Sequence, residues 1–321
     1  LVFSSLWWKH NGVLKIGKKI GKDGPKYAFA TLLAGVPGQD EEENWRYDKY
    51  FIATRILTFQ LLHNRGTRSR SNIPFIVGVN QNYSEAKQER LRKDGATVVE
   101  IEPIYSDWIK PPQENYVVVL TKLRFWEFEE YDRICIIDGD GALTRPLDGV
   151  FDDPAVALQT TRQNKKLGVF KEDEGPIPPQ YAFAAPPETA PRHKWPPTPE
   201  NGAFARVNYL NAGFMVLRPD KRLFNHYMRI LSIPNRFDPQ FPEQNLLNYA
   251  HRKDGNMPWM RVQNTWNVNF PTIADIKGGV ALIHEKYWAP THKEVGDYLK
   301  AWRYLMEGYF AAKDEFEESK K

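Results

Sequence analysis

The sequence predicts an α/β fold: one domain built on a mostly parallel central sheet with helices on both faces. Three observations carry this. Short apolar, β-branched runs alternate with longer amphipathic ones, the order produced when parallel strands are joined by helical crossovers. Cap and turn residues punctuate the alternation where an element must start or stop. The chain also has the material for one large core, with 321 residues of which 41% are hydrophobic and 26% charged.

The elements follow in order. Residues 1–25 carry Trp7, Trp8 and a glycine-punctuated lysine series, and read as a basic lead-in or stem before a domain spanning 26–321. KYAFATLLAG, from Lys26, is a strand. YDKYFIATRILTFQLLHNRG is a helix with apolar residues three and four apart, ended by Gly66. IPFIVGVN is a second strand, SEAKQERLRKDG a charged helix from Ser84 to Gly95, and ATVVEIEPI a third strand. TKLRFWEFEEYD reads as a helix capped by Thr121, and the apolar run after Arg133 as a buried strand ending at Asp138. ALTRPLDGVF is a further apolar segment. YLNAGFMVLRPDKRLF gives a strand and then a helix capped by Asp220. Pro242 suits the first turn of the helix in FPEQNLLNYAHR. GGVALIHEKYW is a strand ending at His284, with Lys286 and Trp288 just beyond.

Two stretches stand apart. Residues 171–200 hold nine of the 24 prolines and show neither helical nor strand periodicity, so they are expected to form a long loop. Its Tyr181 and Trp195 are candidates for stacking on sugar rings. Residues 292–319 read as an amphipathic helix whose stripe of Val295, Leu299, Trp302, Met306 and Phe310 should pack on the domain or on a second subunit of a homodimer.

Composition narrows the function. A net charge of +4 is too mild for a nucleic-acid surface and suits a small anionic substrate such as a nucleotide diphosphate. The aromatic fraction of 13%, ten Trp included, fits carbohydrate stacking as well as a large core. Cys135 is the sole cysteine, so no intrachain disulfide is expected. No run approaches the ~18 apolar residues of a membrane span. The chain begins at Leu1 rather than Met, which leaves room for a removed anchor. The Asn82-Tyr83-Ser84 glycosylation motif points to the Golgi or secretory lumen, with the cytoplasm as the alternative.

Chemistry concentrates at "DGDG", residues 138–141. Carboxylates aimed into a core are expensive to desolvate, so Asp138 and Asp140 belong just past the strand end. Ligands of open parallel sheets sit beyond the carboxyl ends of the strands. On extended backbone the two acids project to one side, where they can share a hard divalent cation, Mn²⁺ or Mg²⁺, that in turn binds phosphate oxygens. Gly139 and Gly141 let the backbone approach a ligand closely.

These motifs in this order resemble glycosyltransferase family 8, over Lys26 to Trp288. The resemblance rests on the first strand with its Thr, the Thr-Lys-Leu helix, the Asp-x-Asp strand, the Asn-x-Gly strand, the acid-Gln pair on a helix, and the His with a nearby Lys and Trp. FPEQNLLNYAHR is similar to fungal members. The resemblance implies a Rossmann-like GT-A fold, a UDP-sugar donor, Mn²⁺ and retention of anomeric configuration. Carried over residue by residue, it implies Asp138, Asp140 and His284 as metal ligands. Ala30, Thr31, Leu32 and Tyr50 fall where the uridine is held, and Lys122 where a donor-contacting lysine is expected. Asn211 and Gly213 match the donor-sugar strand, Glu243 and Gln244 the catalytic acid-Gln pair, and Lys286 a diphosphate-binding lysine. Two departures stand out. Glu243-Gln244-Asn245 replaces the usual Asp-Gln-Gly, and His284 and Lys286 are closer together than in the family pattern.

The resulting expectation is a retaining transferase moving a hexose or N-acetylhexosamine from a UDP-sugar to a glycan or glycoprotein. Retention has two routes. Glu243 can act as a nucleophile in a double displacement, or the acceptor can attack from the leaving-group side while Gln244 steadies an oxocarbenium-like ion; the resemblance favours the second. Glu243 also suits a helix's first turn, Tyr50 a core position, and Lys122 the surface. His63 and His226 read as packed helix residues. Two other classes remain: an inactive UDP-sugar or glycan-binding protein, and, third, a sugar nucleotidyltransferase. The latter would want a basic Gly-rich loop after the first strand, where TLLAGVPGQDEEENW is acidic.

Overall fold

A computed structural model of the chain describes residues 24–34, 45, 47–81, 83–110, 116, 118–166 and 171–320. The expected lead-in lies outside them except for its last two residues, as do Asn82 of the glycosylation motif and the acidic run 35–44.

The first half alternates as its sequence pattern requires: β1 (Tyr27–Leu33), α1 (Lys49–Leu62), β2 (Phe75–Val79), α2 (Glu85–Asp94) and β3 (Thr97–Glu100). Asp48 caps α1, its carboxylate accepting from the Phe51 N–H at 2.9 Å. Gly95 closes α2 in the left-handed region at φ +107°, the conformation glycine adopts without penalty. A 3₁₀ helix over Val119–Glu127 leads to β4 (Arg133–Ile137) and β5 (Gly141–Leu143). Then come β6 (Gln159–Thr160), β7 (Gln180–Tyr181), β8 (Phe183–Ala185) and β9 (Phe214–Leu217). The rest is α3 (Lys221–Leu231), α4 (Pro242–Ala250), β10 (Met260–Arg261), β11 (Asn267–Asn269), α5 (Ile273–Gly278), β12 (Leu282–His284) and α6 (Lys293–Glu318).

Seven strands form the central sheet in the order β10-β8-β9-β4-β1-β2-β3, and β9 alone runs against its neighbours. Alternate strand residues feed two cores, as a sheet covered on both faces demands. Ala28, Ala30, Ile134 and Ile136 join the 3₁₀ helix, α3 and α4 on one face, where Trp126 and Tyr227 are fully buried. Phe29, Cys135 and Ile137 join α1 and α2 on the other. A second sheet, β11-β12-β5, lies against the far side of α1. Gln60 of α1 fixes its edge by exchanging two hydrogen bonds with the Leu143 backbone, each 2.8 Å.

The structure corrects several expectations. The first helix ends at Leu62, capped by the His63 N–H, and not at Gly66. Thr121 sits inside the 3₁₀ helix, where its hydroxyl accepts from Ile104 N–H instead of capping anything. The Pro-rich stretch is not all loop, since β7 and β8 lie in it and β8 belongs to the central sheet. Tyr181 is buried, its hydroxyl donating to the Pro258 carbonyl, and Trp195 packs against Gly278 and the third core. Neither residue lines the cleft described below. The stripe of α6 packs within the chain, with Val295, Leu299, Met306 and Phe310 buried against Ile52, Ile56 and Phe59 of α1. No helix among the described residues is long and apolar enough to cross a membrane.

His63 and His226 are packed as expected, each hydrogen-bonded to a backbone carbonyl. A third packed histidine, fully buried, contributes to the acid sensitivity of the fold. His251 Nδ1 donates to the Met257 carbonyl, and its Nε2 shares a hydrogen bond with Tyr227 OH, both at 2.6 Å. Burial pushes it down to about 3. Because the unfolded ring protonates near its ordinary 6.5, the unfolded state binds the extra proton between those values. Stability from this group is complete above that window and falls as pH drops through it, by about 1.4 kcal/mol per pH unit. We expect His251→Asn to be less stable at neutral pH yet to show a shallower acid slope in denaturant titrations; equal slopes would assign the acid sensitivity elsewhere.

Candidate metal and sugar-nucleotide site

The site forms where the two sheets meet. Asp138 follows β4 at the carboxyl edge of the central sheet, and the chain turns at once into β5, with Gly141 N–H donating to the Asp138 carbonyl at 2.9 Å. The two acids therefore converge through a tight turn and not through the extended alternation expected. Because β5 pairs antiparallel with β12 in a register that sets Gly141 opposite His284, the imidazole arrives beside the turn. Antiparallel β9 adds its approach segment to the same edge, and Asp138 N–H donates to the Gly213 carbonyl at 2.9 Å.

Asp138, Asp140 and His284 offer ligand atoms that all lie within 4.8 Å of one another. His284 Nε2 is 3.0 Å from Asp140 Oδ1 and 3.8 Å from Asp138 Oδ2. Two carboxylates and one imidazole fit a divalent ion such as Mn²⁺, which accepts both oxygen and nitrogen donors. Burial drives the Asp140 carboxyl up, but the His284 ring and Lys286 outweigh it and hold it below the usual range. The same carboxylates overcome burial at His284 and raise its ring.

Lys122 supports this group from behind. Its ammonium, buried, lies 2.6 Å from Asp138 Oδ1 and 2.7 Å from Glu243 Oε1. Burial opposes its charge, yet the two carboxylates raise it above its ordinary value. Asp138 thus gives Oδ1 to the lysine and turns Oδ2 toward His284. Burial raises Glu243, with the Lys122 charge opposing.

A cleft of about 1050 Å³ opens above these residues. Of the residues expected at the uridine, Leu32 and Tyr50 line it, whereas Ala30 and Thr31 are fully buried in the sheet and do not. The expectation for those two is corrected: the chain meets the cleft only from Leu32 onward, through Leu33 and Ala34. Tyr50 is half-exposed at the start of α1, edge-on to Trp288 at 4.9 Å and beside Lys286, whose charge it helps to raise against the effect of burial. Lys122, Asn211, Gly213, Glu243, Gln244 and Lys286 all line the cleft. Asn211 Oδ1 accepts from Gly213 N–H, and Gln244 Oε1 accepts from Ala212 N–H at 2.9 Å.

Two partners of Gln244 carry no motif in the sequence: Glu188, which lines the cleft, and Tyr209 both take its amide, at 3.3 and 3.0 Å. Glu188 lies within the Pro-rich stretch, where no motif marks it. The role of Gly213 is also sharper than its motif suggests. A Cβ there would lie 2.1 Å from His284 Cε1, so the ring rests directly on the glycine.

No known family's sequence model matches the chain. Curated relatives do. An uncharacterised protein of Schizosaccharomyces pombe is 30% identical over 329 residues, covering 92% of this chain and 82% of its own length. Galactinol synthase 5 of Arabidopsis thaliana is 28% identical over 241 residues, covering 73% of this chain; the match spans 63% of the plant protein. Among solved structures, the galactosyltransferase LgtC bound to donor and acceptor sugar analogues superposes with a TM-score of 0.46 at 14% identity, over 88% of this chain and 95% of that one.

Gly213→Ala tests the packing of the ring. Its backbone is outside the left-handed region, so only space forbids the methyl group. We expect the fold to survive and Mn²⁺ affinity to drop about tenfold or more, the scale for disturbing a ligand's support. Unchanged Mn²⁺ binding by calorimetry would show that His284 is not a ligand.

Proposed function

The chain belongs to glycosyltransferase family 8, with a fold of the GT-A type, and on that premise we propose that it is a retaining, Mn²⁺-dependent transferase using a UDP-sugar. The observation that carries this reading is the Asp138–Asp140–His284 group at the carboxyl edge of the sheet, within a cleft roomy enough for a sugar nucleotide. The intact group disfavours an inactive binding protein.

Asp138 Oδ2, Asp140 and His284 Nε2 would hold the cation, with Lys122 fixing the orientation of Asp138. A cation bound there supplies positive charge against the diphosphate as it leaves. Lys286, reaching the same cleft, adds a second positive group toward those oxygens. Tyr50, whose edge contact with Trp288 steadies its ring, offers a surface in the part of the cleft where the uridine would lie. Gln244 is pinned by Ala212, Glu188 and Tyr209, which keeps its amide in one place as the anomeric centre gains positive character. The acceptor is a glycan or glycoprotein, and the sugar a hexose or N-acetylhexosamine.

The geometry favours attack from the leaving-group side. A nucleophilic carboxylate must be unhindered beneath the anomeric carbon, whereas Glu243 is buried and one of its oxygens is taken by Lys122. Its extra methylene relative to the family's usual Asp serves that reach.

A screen of UDP-sugars with Mn²⁺, following UDP release, tests the reading. Asp138→Asn and Asp140→Asn should each lose most turnover, about 10²-fold or more; Asp140→Asn should melt close to wild type without metal, and Asp138→Asn lower, because it removes a charge partner of Lys122. His284→Ala should raise the Mn²⁺ requirement and recover partly at excess Mn²⁺. Near-normal turnover in either aspartate variant would remove the metal assignment. Glu243→Gln should keep measurable transfer with retained configuration; a dead enzyme that azide rescues to an inverted product would establish double displacement instead.

A further inference from the structure

Phe270 combines a strained backbone with an exposed ring. It follows β11 at φ +52°, a left-handed conformation that is rare for a bulky side chain. The next residue is Pro271, which biases Phe270 toward extended backbone and adds to the misfit. Backbone strain of this kind costs about 1–3 kcal/mol and persists only where surrounding contacts impose it. Here the Asn269 carboxamide accepts from Thr189 N–H at 2.8 Å, and Pro271 is buried. Yet the ring gains no core position in return: Phe270 is 37% exposed and lines the cleft. Its location is specific. Asn269 pairs with His284 in the β11–β12 ladder, so Phe270 stands one residue beyond the strand position beside the metal-site histidine. Glu188 and Asn269, both polar, also line the cleft.

We propose that Phe270 is the platform on which the acceptor's pyranose ring stacks. The C–H face of such a ring is the apolar surface that an exposed aromatic face accepts, while its hydroxyls require polar partners at the rim. This deepens the transferase reading of the cleft and rests on it, naming a carbohydrate ring as the acceptor's contact with the enzyme.

The test is saturation-transfer NMR on the whole chain with the methyl α- and β-pyranosides of glucose, galactose and mannose. Calorimetry with UDP and Mn²⁺ runs beside it. At least one pyranoside should receive saturation on its ring C–H protons. That signal should fall about tenfold in Phe270→Ala and Phe270→Gly, the scale of losing an aromatic contact, and persist in Phe270→Trp. Phe270→Gly should melt at or above the wild-type temperature, because glycine adopts the left-handed backbone freely. A pyranoside signal that survives Phe270→Gly, or no pyranoside signal with wild type, overturns the platform. Failure of UDP to bind, with a pyranoside signal that still depends on Phe270, would overturn the donor reading and leave the platform standing.

Discussion

Lys122 is the interaction on which the site depends. Its ammonium joins three parts of the fold, the 3₁₀ helix that carries it, the end of β4 through Asp138, and the first turn of α4 through Glu243. Carboxylates gathered inside a protein lose solvation and repel one another, and a shared counter-charge offsets both costs. Lys122 supplies that charge to both carboxylates. Breaking such a buried pair typically costs about 3–5 kcal/mol, because the partner left behind is an uncompensated charge. The family resemblance implied that this lysine meets the donor; here its two close contacts are internal, and it acts as a spacer that sets the distance between the metal-binding turn and the helix bearing Gln244.

Around that spacer the two sheets divide the work. The central sheet delivers Asp138 at the end of β4 and Gly213 at the approach to β9, while the small sheet delivers His284 at the end of β12. Gln60 ties the edge of the small sheet to α1, so the helix whose first turn carries Tyr50 also fixes the strand that follows the aspartate turn. The position of the imidazole is thus over-determined: β-pairing sets its height, and the missing side chain of Gly213 sets its depth.

Much of this was legible because it is local. Alternating apolar runs gave the strands, Asp220, Pro242 and Gly95 marked helix ends, and the spacing of Asp138 and Asp140 after an apolar run marked the edge where a ligand belongs. What was not legible depends on distant contacts. Thr121 lies inside a 3₁₀ helix and not at its cap, its hydroxyl taken by a backbone group 17 residues away. Phe183–Ala185 becomes a sheet strand in a proline-rich stretch because β9 and β10 offer it edges on both sides. Ala30 and Thr31 share a strand with Leu32, and nothing in that run tells where the buried strand gives way to the open cleft. Glu188 and Phe270 carry no motif at all; their significance lies in whom they meet and in a backbone angle.

The register that pairs Gly141 with His284 also bears on how the protein is made. The metal-site residues come from positions almost half the chain apart, joined by pairing between strands that are remote in sequence. Such contacts form slowly, since a long loop must close before they repay its entropy. During synthesis the first four parallel strands have their helices and partners early, whereas Asp138 and Asp140 wait for β12 to leave the ribosome. The nascent chain therefore carries an acidic turn without its histidine while the 144 residues from Asp140 to His284 are made, and competence to bind metal appears only as the last strand docks.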